Sequence, residues 1–266
     1  MIRINWNPLP HLGPLPVNWY GLNWVLAFVV GFILLRRWSD QWPELRTNLE
    51  SLFVWIAAGS VTGARLYYVI QNEPSEYSTH PLRILAVWEG GLAYFRGLFG
   101  GSFAGYLWTQ RHGLRFLKVA DMFAPAIAIP SAIGRISCWL DGMDYGTATW
   151  LLWGTVYVSP NSFAPIDGIA RHPAQLYELV GDLIIGFVLI RWRRKLPDGM
   201  VFWSYLASFS ILRFLVFFVC GNVRPVLFGL KNGQITALVL LAIALPSMVA
   251  SLLRLRRTRE GAFGRT

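Results

Sequence analysis

The sequence predicts an all-α integral membrane protein of about seven transmembrane helices, with its N-terminus outside and its C-terminus cytoplasmic. Three observations predict this. Apolar residues fill 55% of the 266 positions and charged residues only 14%, too greasy a balance for a soluble domain of that length. Runs of the roughly 20 apolar residues needed to cross a hydrocarbon core recur. They fall near 17–35, 51–71, 91–109, 119–138, 174–190, 199–219 and 233–253. The connections between them alternate in basic charge. Because most are short, residues 1–266 read as one integral membrane domain with a small external segment at about 139–173.

The basic residues orient the chain. Arg36, Arg37 and Arg46 follow the first run, and Arg111, Arg115 and Lys118 the third. Arg191, Arg193, Arg194 and Lys195 follow the fifth, and Arg254, Arg256, Arg257, Arg259 and Arg265 form the tail. Those fifteen share one side; the other has five, Arg3, Arg83, Arg171, Arg224 and Lys231. Short loops rich in Lys and Arg stay cytoplasmic. The net charge of +10 then meets an anionic inner leaflet, not nucleic acid.

Four basic residues remain inside the apolar runs: Arg65, Arg96, Arg135 and Arg213. The predicted direction of each span puts all four in the outer leaflet. Each costs about 2.5–3.5 kcal/mol at mid-membrane, less nearer the surface. One arginine can snorkel outward; four at one depth point to a bound anion.

Taken in order, the first sixteen residues lack the basic start of a signal peptide, so the first run is a retained span. Trp19 and Tyr20 open it, where an aromatic belt also places such residues. In the second, Gly59 and Gly63 are four apart, the spacing that lets helices approach closely, and Arg65 shares a face with Tyr68. The stretch WEGGLAYFRGLFGG, Trp88–Gly101, offers glycines for packing plus Glu89 and Arg96. Pro125 and Pro130 predict a kinked or broken fourth span, which would line a cavity. Arg135 stands at its outlet in GRISCWLDGMDYG, Gly134–Gly146, with Asp141, Asp144 and Tyr145 after it.

The WLLWGTVY run, Trp150–Tyr157, reads as a short strand or an interfacial segment. Arg171–Glu178, RHPAQLYE, brings His172, Gln175, Tyr177 and Glu178 to the start of the fifth span. His172 alone could be an ordinary loop histidine, but a carboxylate one turn into an apolar helix needs a partner such as arginine. Phe209, Arg213 and Phe217 share one face of the sixth span, where cation–π contact offsets part of the arginine's burial. Asn232, Gly233 and Gln234 open the seventh. Cys138 and Cys220, the only cysteines, read as unpaired core residues, with a disulfide in the oxidising outer compartment as the alternative.

Together these stretches resemble the bacterial prolipoprotein diacylglyceryl transferase family. Tyr20-Gly21 resembles that family's first-span tyrosine-glycine pair, GARLYYV its G-x-R-L-x-Y element, and WEGGLAYFRGLFGG its W-x-G-G-L-S-F-H-G-G-L-x-G element. GRISCWLDGMDYG resembles its signature G-R-I-G-N-F-x-N-G-E-x-x-G, RHPAQLYE its R-H-P-S-Q-L-Y-E, and Asn232–Gln234 its late G-Q pair. The likeness runs in order from about Trp19 to Gln234. It also departs: the family's histidine falls at Phe95, its signature asparagines at Cys138 and Asp141, and its glutamate at Met143. Around Arg213 its tyrosine and glutamate fall at Phe209 and Phe217.

The resemblance implies transfer of a diacylglyceryl group from phosphatidylglycerol to the thiol of a prolipoprotein's lipobox cysteine, the first step of bacterial lipoprotein maturation. It implies a multi-pass protein of the bacterial plasma (inner) membrane whose active site faces the outer leaflet. Membrane lipids are the surroundings and nucleic acid is no partner; no cofactor and no metal are expected. Arg135, which matches the family's lipid-phosphate contact, and Arg213 suit a phosphate clamp, since guanidinium binds phosphate in bidentate fashion. Arg65 and Arg96 are lipid contacts or partners for Glu178 or Glu89, and Tyr20, Gln175, Tyr177 and Glu178 complete the expected lipid site. With Phe95 in place of histidine, the thiol's base lies among His172, Asp144, Asp141 and Glu178, the first two ranked ahead. Two alternatives stay open: a catalytically impaired relative that binds anionic phospholipid, and a small-anion transporter, which would need polar groups nearer the inner side.

Overall fold

The computed structural model describes residues 1–8, 11–12, 15–16, 19–39, 43–72 and 94–263. Seven helices form among them: α1 (Trp19–Trp38), α2 (Pro43–Asn72), α3 (Tyr94–Arg111), α4 (Phe116–Asp141), α5 (Ala174–Trp192), α6 (Met200–Val216) and α7 (Asn232–Phe263). Each apolar run lies on one of them over most of its described length, the 199–219 run overhanging α6 at both ends. α1, α4 and the Asn232–Leu253 stretch of α7 are long and apolar enough to cross a membrane. α6 is apolar but spans only 17 residues, and α5 carries Glu178 and Asp182 on its buried side. The helices at 43–72 and 232–263 outrun their apolar cores, because polar and arginine-rich residues continue the helix beyond the greasy stretch.

The chain forms two compact units, residues 36–119 and residues 1–35 with 120–266. In the smaller unit α2 and α3 run antiparallel, as the pairing of Ser51 with Trp108 and of Gly59 with Gly100 requires. Glycine makes this approach feasible: a methyl group on Gly59 would stand 2.7 Å from the Gly100 carbonyl oxygen, and one on Gly100 would stand 2.9 Å from Gly63 Cα. The interhelical spacing is thus set by backbone. The buried Trp108 indole donates to Ser51 at 3.1 Å, and the Arg111 guanidinium lies over Trp55 at 4.9 Å. Arg65 is buried here on α2. The Trp88–Ala93 part of the glycine-rich stretch, with Glu89, and the side chains of Tyr68, Phe95 and Arg96 lie outside the described residues.

The larger unit is built on α4. Of the kinked or broken fourth span that the prolines predict, the break is absent: α4 runs as one helix from Phe116 to Asp141 through both prolines. Neighbouring helices pack on the disturbed turns and hold them. Gly31 of α1 sits against Pro130 and the Ala126 carbonyl, and Gly186 of α5 against Ala128 and Ile129. At the start of α4, Asp121 accepts hydrogen bonds from the Gly199 and Phe202 amides, at 2.5 and 2.7 Å. Its carboxylate so caps the first turn of α6, where orphan amides and the helix dipole both favour an anion. Leu206 and Ala207 of α6 pack on Leu240 and Ala244 of α7.

The 142–173 segment is stapled to the ends of these helices. Gly142, at φ 80°, turns the chain out of α4, and the Thr147 and Gly221 amides then donate to the Val219 and Tyr145 carbonyls. Strand β4 (Thr155–Tyr157) pairs in parallel with β1 (Ile2–Ile4), and Arg171 bridges to Thr155. Two small antiparallel pairs complete the strands: β2 (His11–Leu12) with β3 (Leu15–Pro16), and β5 (Pro225–Leu227) with β6 (Leu230–Lys231). Of the two readings of WLLWGTVY, the strand holds at its end, Thr155–Tyr157; its start carries Trp150, 95% exposed.

Candidate functional site

A buried charge cluster lies where α4, α5 and α6 meet at the stapled end. α4 is helical through Gly134 and presents Arg135; α6 presents Arg213; both residues are over nine-tenths buried. Glu178, one turn into α5, joins them. Its Oε2 accepts from Arg135 Nε at 2.7 Å, and its Oε1 accepts from Arg213 Nη1. One carboxylate therefore serves two guanidiniums, which remain charged in any protein environment. The partner expected for Glu178 is found in Arg135 and Arg213.

Asp144 makes a looser contact from outside, its Oδ2 at 3.3 Å from Arg135 Nη1, with its side chain about half exposed. Asn222, from the segment after α6, donates to the other oxygen at 3.1 Å. Asp144 adopts φ 52°, a left-handed backbone that holds its carboxylate over the arginine. The Arg213 guanidinium also lies 4.6 Å from the Phe217 ring, the cation–π contact its spacing predicts, while Phe209 stacks on Tyr205 at 5.8 Å. Tyr20 stands within electrostatic reach of Arg135, Asp144 and Cys138.

A second cluster adjoins the first. His172 Nδ1 lies 3.1 Å from the Tyr177 hydroxyl, which also accepts from the Trp153 indole at 3.0 Å. His172 is thus a tied residue, not a freely moving loop histidine. Arg171 pairs with Asp167 at 2.5 Å and lies over the Tyr145 ring at 5.1 Å; the Ile169 amide and then Arg171 hold the Asp167 carboxyl below its usual range. Gln175, fully buried, donates to the Met143 carbonyl and, at 3.5 Å, to the Tyr157 hydroxyl. Burial pushes that phenol well above the usual tyrosine range. It donates in turn to the Trp139 carbonyl at 2.9 Å, tying α5 to the end of α4.

A family model described as prolipoprotein diacylglyceryl transferase matches residues 8–250. The chain belongs to the prolipoprotein diacylglyceryl transferase family. The phosphatidylglycerol–prolipoprotein diacylglyceryl transferase of Geobacter sulfurreducens is 34% identical over 211 residues, covering 78% of this chain and 79% of that protein. That of Bordetella avium is 35% identical over 212 residues, covering 78% of each. That of Methylobacillus flagellatus is 31% identical over 256 residues, covering 92% of this chain and 95% of the relative.

Within this member of the prolipoprotein diacylglyceryl transferase family, the structure gathers Arg135, Arg213, Glu178, Asp144 and Tyr20 into one site and sets His172, Tyr177 and Gln175 beside it. Arg65 belongs to the smaller unit. The supporting roles of Asn222, Lys231 and Asp182 escaped sequence reasoning, while Gln234 stands out there only as part of a motif. Asn222 orients Asp144 from a segment with no recognisable signal. Lys231 Nζ donates to the Phe217 and Cys220 carbonyls, at 2.8 and 2.5 Å, and Gln234 Nε2 donates to the Phe214 carbonyl at 3.4 Å, so β6 and α7 cap the α6 end that bears Arg213. Asp182, one turn past Glu178, is buried in the same α4–α5 seam. Both cysteines are free and buried, each within electrostatic reach of Glu178 and Asp144. Burial pushes the Cys220 thiol up to about 12, so it stays protonated and inert at neutral pH.

Glu178 is the counter-ion on which the cluster rests. Replacing it by alanine leaves two buried guanidiniums without that carboxylate, and should cost about 3–5 kcal/mol of stability. Thermal unfolding in detergent reads this directly; a Glu178→Ala protein as stable as the parent would show that the pair does not need it.

Proposed function

We propose that this chain transfers a diacylglyceryl group from phosphatidylglycerol to the thiol of a lipobox cysteine on a prolipoprotein. The observation that carries the reading is the buried Arg135–Glu178–Arg213 cluster in a chain of this family. The reaction breaks a carbon–oxygen bond next to a phosphate, and negative charge grows on the departing oxygen. Donors aimed at that charge in a low-dielectric site lower the barrier. Arg135 and Arg213 are those donors. Glu178 keeps the pair close, and the lipid phosphate takes the place Asp144 holds on Arg135. Tyr20, Gln175 and Tyr177 line the lipid's approach, and membrane lipids surround it.

The site faces the outer leaflet of the bacterial inner membrane, with seven spans, an external N-terminus and a cytoplasmic tail. The parallel β1–β4 pairing supports this, since it joins the N-terminal segment to the 139–173 segment. So does the basic tail. An impermeant thiol reagent should label Ser162→Cys in intact cells and leave Arg259→Cys unlabelled; the reverse pattern would refute the orientation.

Departures from the family pattern favour a second reading, a relative that binds anionic lipid without turnover: Phe217 lies on Arg213 where the family has a glutamate. One assay separates the two. In a strain depleted of its own transferase, the parent should restore lipoprotein modification. Arg135→Ala should lose about 3 kcal/mol of transition-state stabilisation, roughly a hundredfold in rate, while still accumulating in the membrane. Arg135→Lys should recover only part, because an ammonium cannot make the forked contact. A parent that never modifies a lipobox peptide supplied with phosphatidylglycerol leaves lipid binding alone.

A further inference from the structure

Gln175, Glu178 and Asp182 lie at i, i+3 and i+7, one face of α5, and all three are buried. The first two have partners already described. Asp182 differs. Both its carboxylate oxygens are buried and meet no hydrogen-bond donor among the described residues. Ser131 of α4 approaches without closing a hydrogen bond, and Arg135 of α4, Arg213 of α6 and Glu178 of its own helix are the charged groups around it. One turn deeper, Gly186 lets α5 close on Ala128 and Ile129, which seals the seam below. A buried carboxylate without donors is costly, and an apolar residue would serve this helix better if packing were its whole purpose.

The geometry of displacement gives that carboxylate a use. Sulfur must approach the glyceryl carbon from the side opposite the departing phosphate oxygen. Arg135 and Arg213 hold that oxygen. Asp144 touches Arg135 from the outer segment, on the leaving group's side, and His172 is engaged by Tyr177 in the neighbouring cluster. Asp182 lies four residues farther from the outer end of α5 than Glu178, about 6 Å deeper along the helix. That is the side from which the thiol must come. Its two unoccupied oxygens can receive a proton without breaking a hydrogen bond.

We propose that Asp182 is the proton acceptor for the lipobox thiol, reached once lipid and peptide part the α4–α5 seam above it. The assignment rests on the transferase reading. The S–H proton passes to the Asp182 carboxylate, and the sulfur electron pair forms the bond to the glyceryl carbon. The carbon–oxygen pair leaves with the phosphate oxygen, and the new charge falls on Arg135 and Arg213. The glycerol phosphate departs as the dianion and Asp182 then releases its proton to water, so each turnover yields one proton and the carboxylate is restored.

The test is the pH–rate profile of purified protein with phosphatidylglycerol and a synthetic lipobox peptide. Asp182→Asn should lose about a hundredfold or more near pH 7, the usual worth of a general base. Its rate should then climb about tenfold per pH unit towards the ordinary thiol pKa of about 8.5, where solution supplies the thiolate. The KM for phosphatidylglycerol should hold. Asp182→Glu, which keeps an acceptor, should keep the parent's profile shape, and decides the matter by that shape if the amide variant does not accumulate. An equal loss at every pH, or a loss confined to KM, would overturn the assignment and leave Asp182 a packing residue. A parent that does not modify the peptide at all would instead sink the transferase reading beneath it.

Discussion

Two guanidiniums held inside apolar helices cannot lose their charge, so the site depends on what neutralises them. Glu178 does this for both, its two oxygens divided between Arg135 and Arg213. A buried ion pair is weak evidence of stability in itself, because desolvation offsets much of the attraction. Its effect here is geometric. Two like charges that would otherwise separate are kept close enough for a single anion, and three helices must converge to satisfy one carboxylate.

The rest of the larger unit makes that convergence reproducible. Asp121 caps the first turn of α6 from the far end of α4, while Lys231 and Gln234 cap its last turn just past Arg213. α6 is therefore gripped at both ends, and the height of Arg213 is set by hydrogen bonds that packing of smooth apolar faces could not supply. Gln175 does the same for α5 through Met143 and Tyr157. The 142–173 segment adds Asp144 beside Arg135, about half exposed and held at 3.3 Å.

Much of this could be read before any coordinates. The seven apolar runs located the helices because length and composition alone decide what suits a bilayer, and Arg135 and Glu178 stood out because charge is expensive there. The family motifs narrowed the chemistry. Other features were not legible for identifiable reasons. The sequence could not say which arginine meets Glu178, and only the packing of α4, α5 and α6 brings Arg135 and Arg213 to it. Pro125 and Pro130 suggested a kink or a break, and the helix continues because Gly31 and Gly186 bring neighbouring helices onto those turns. Asp182 did carry a signal, its spacing from Gln175 and Glu178. A lone acid in an apolar run shows its meaning only when its oxygens are seen to lack donors. Asn222 and Asp121 act across long stretches of chain that no local pattern connects.

The central claim is that the two bridged arginines receive the lipid phosphate. A structure of the protein with phosphatidylglycerol bound tests it most directly. The account predicts a phosphorus atom within about 4 Å of both guanidiniums, as paired N–H···O contacts require, with Asp144 moved off Arg135. A lipid phosphate seated away from Arg135 and Arg213, with the Glu178 bridge and the Asp144 contact undisturbed, would contradict it.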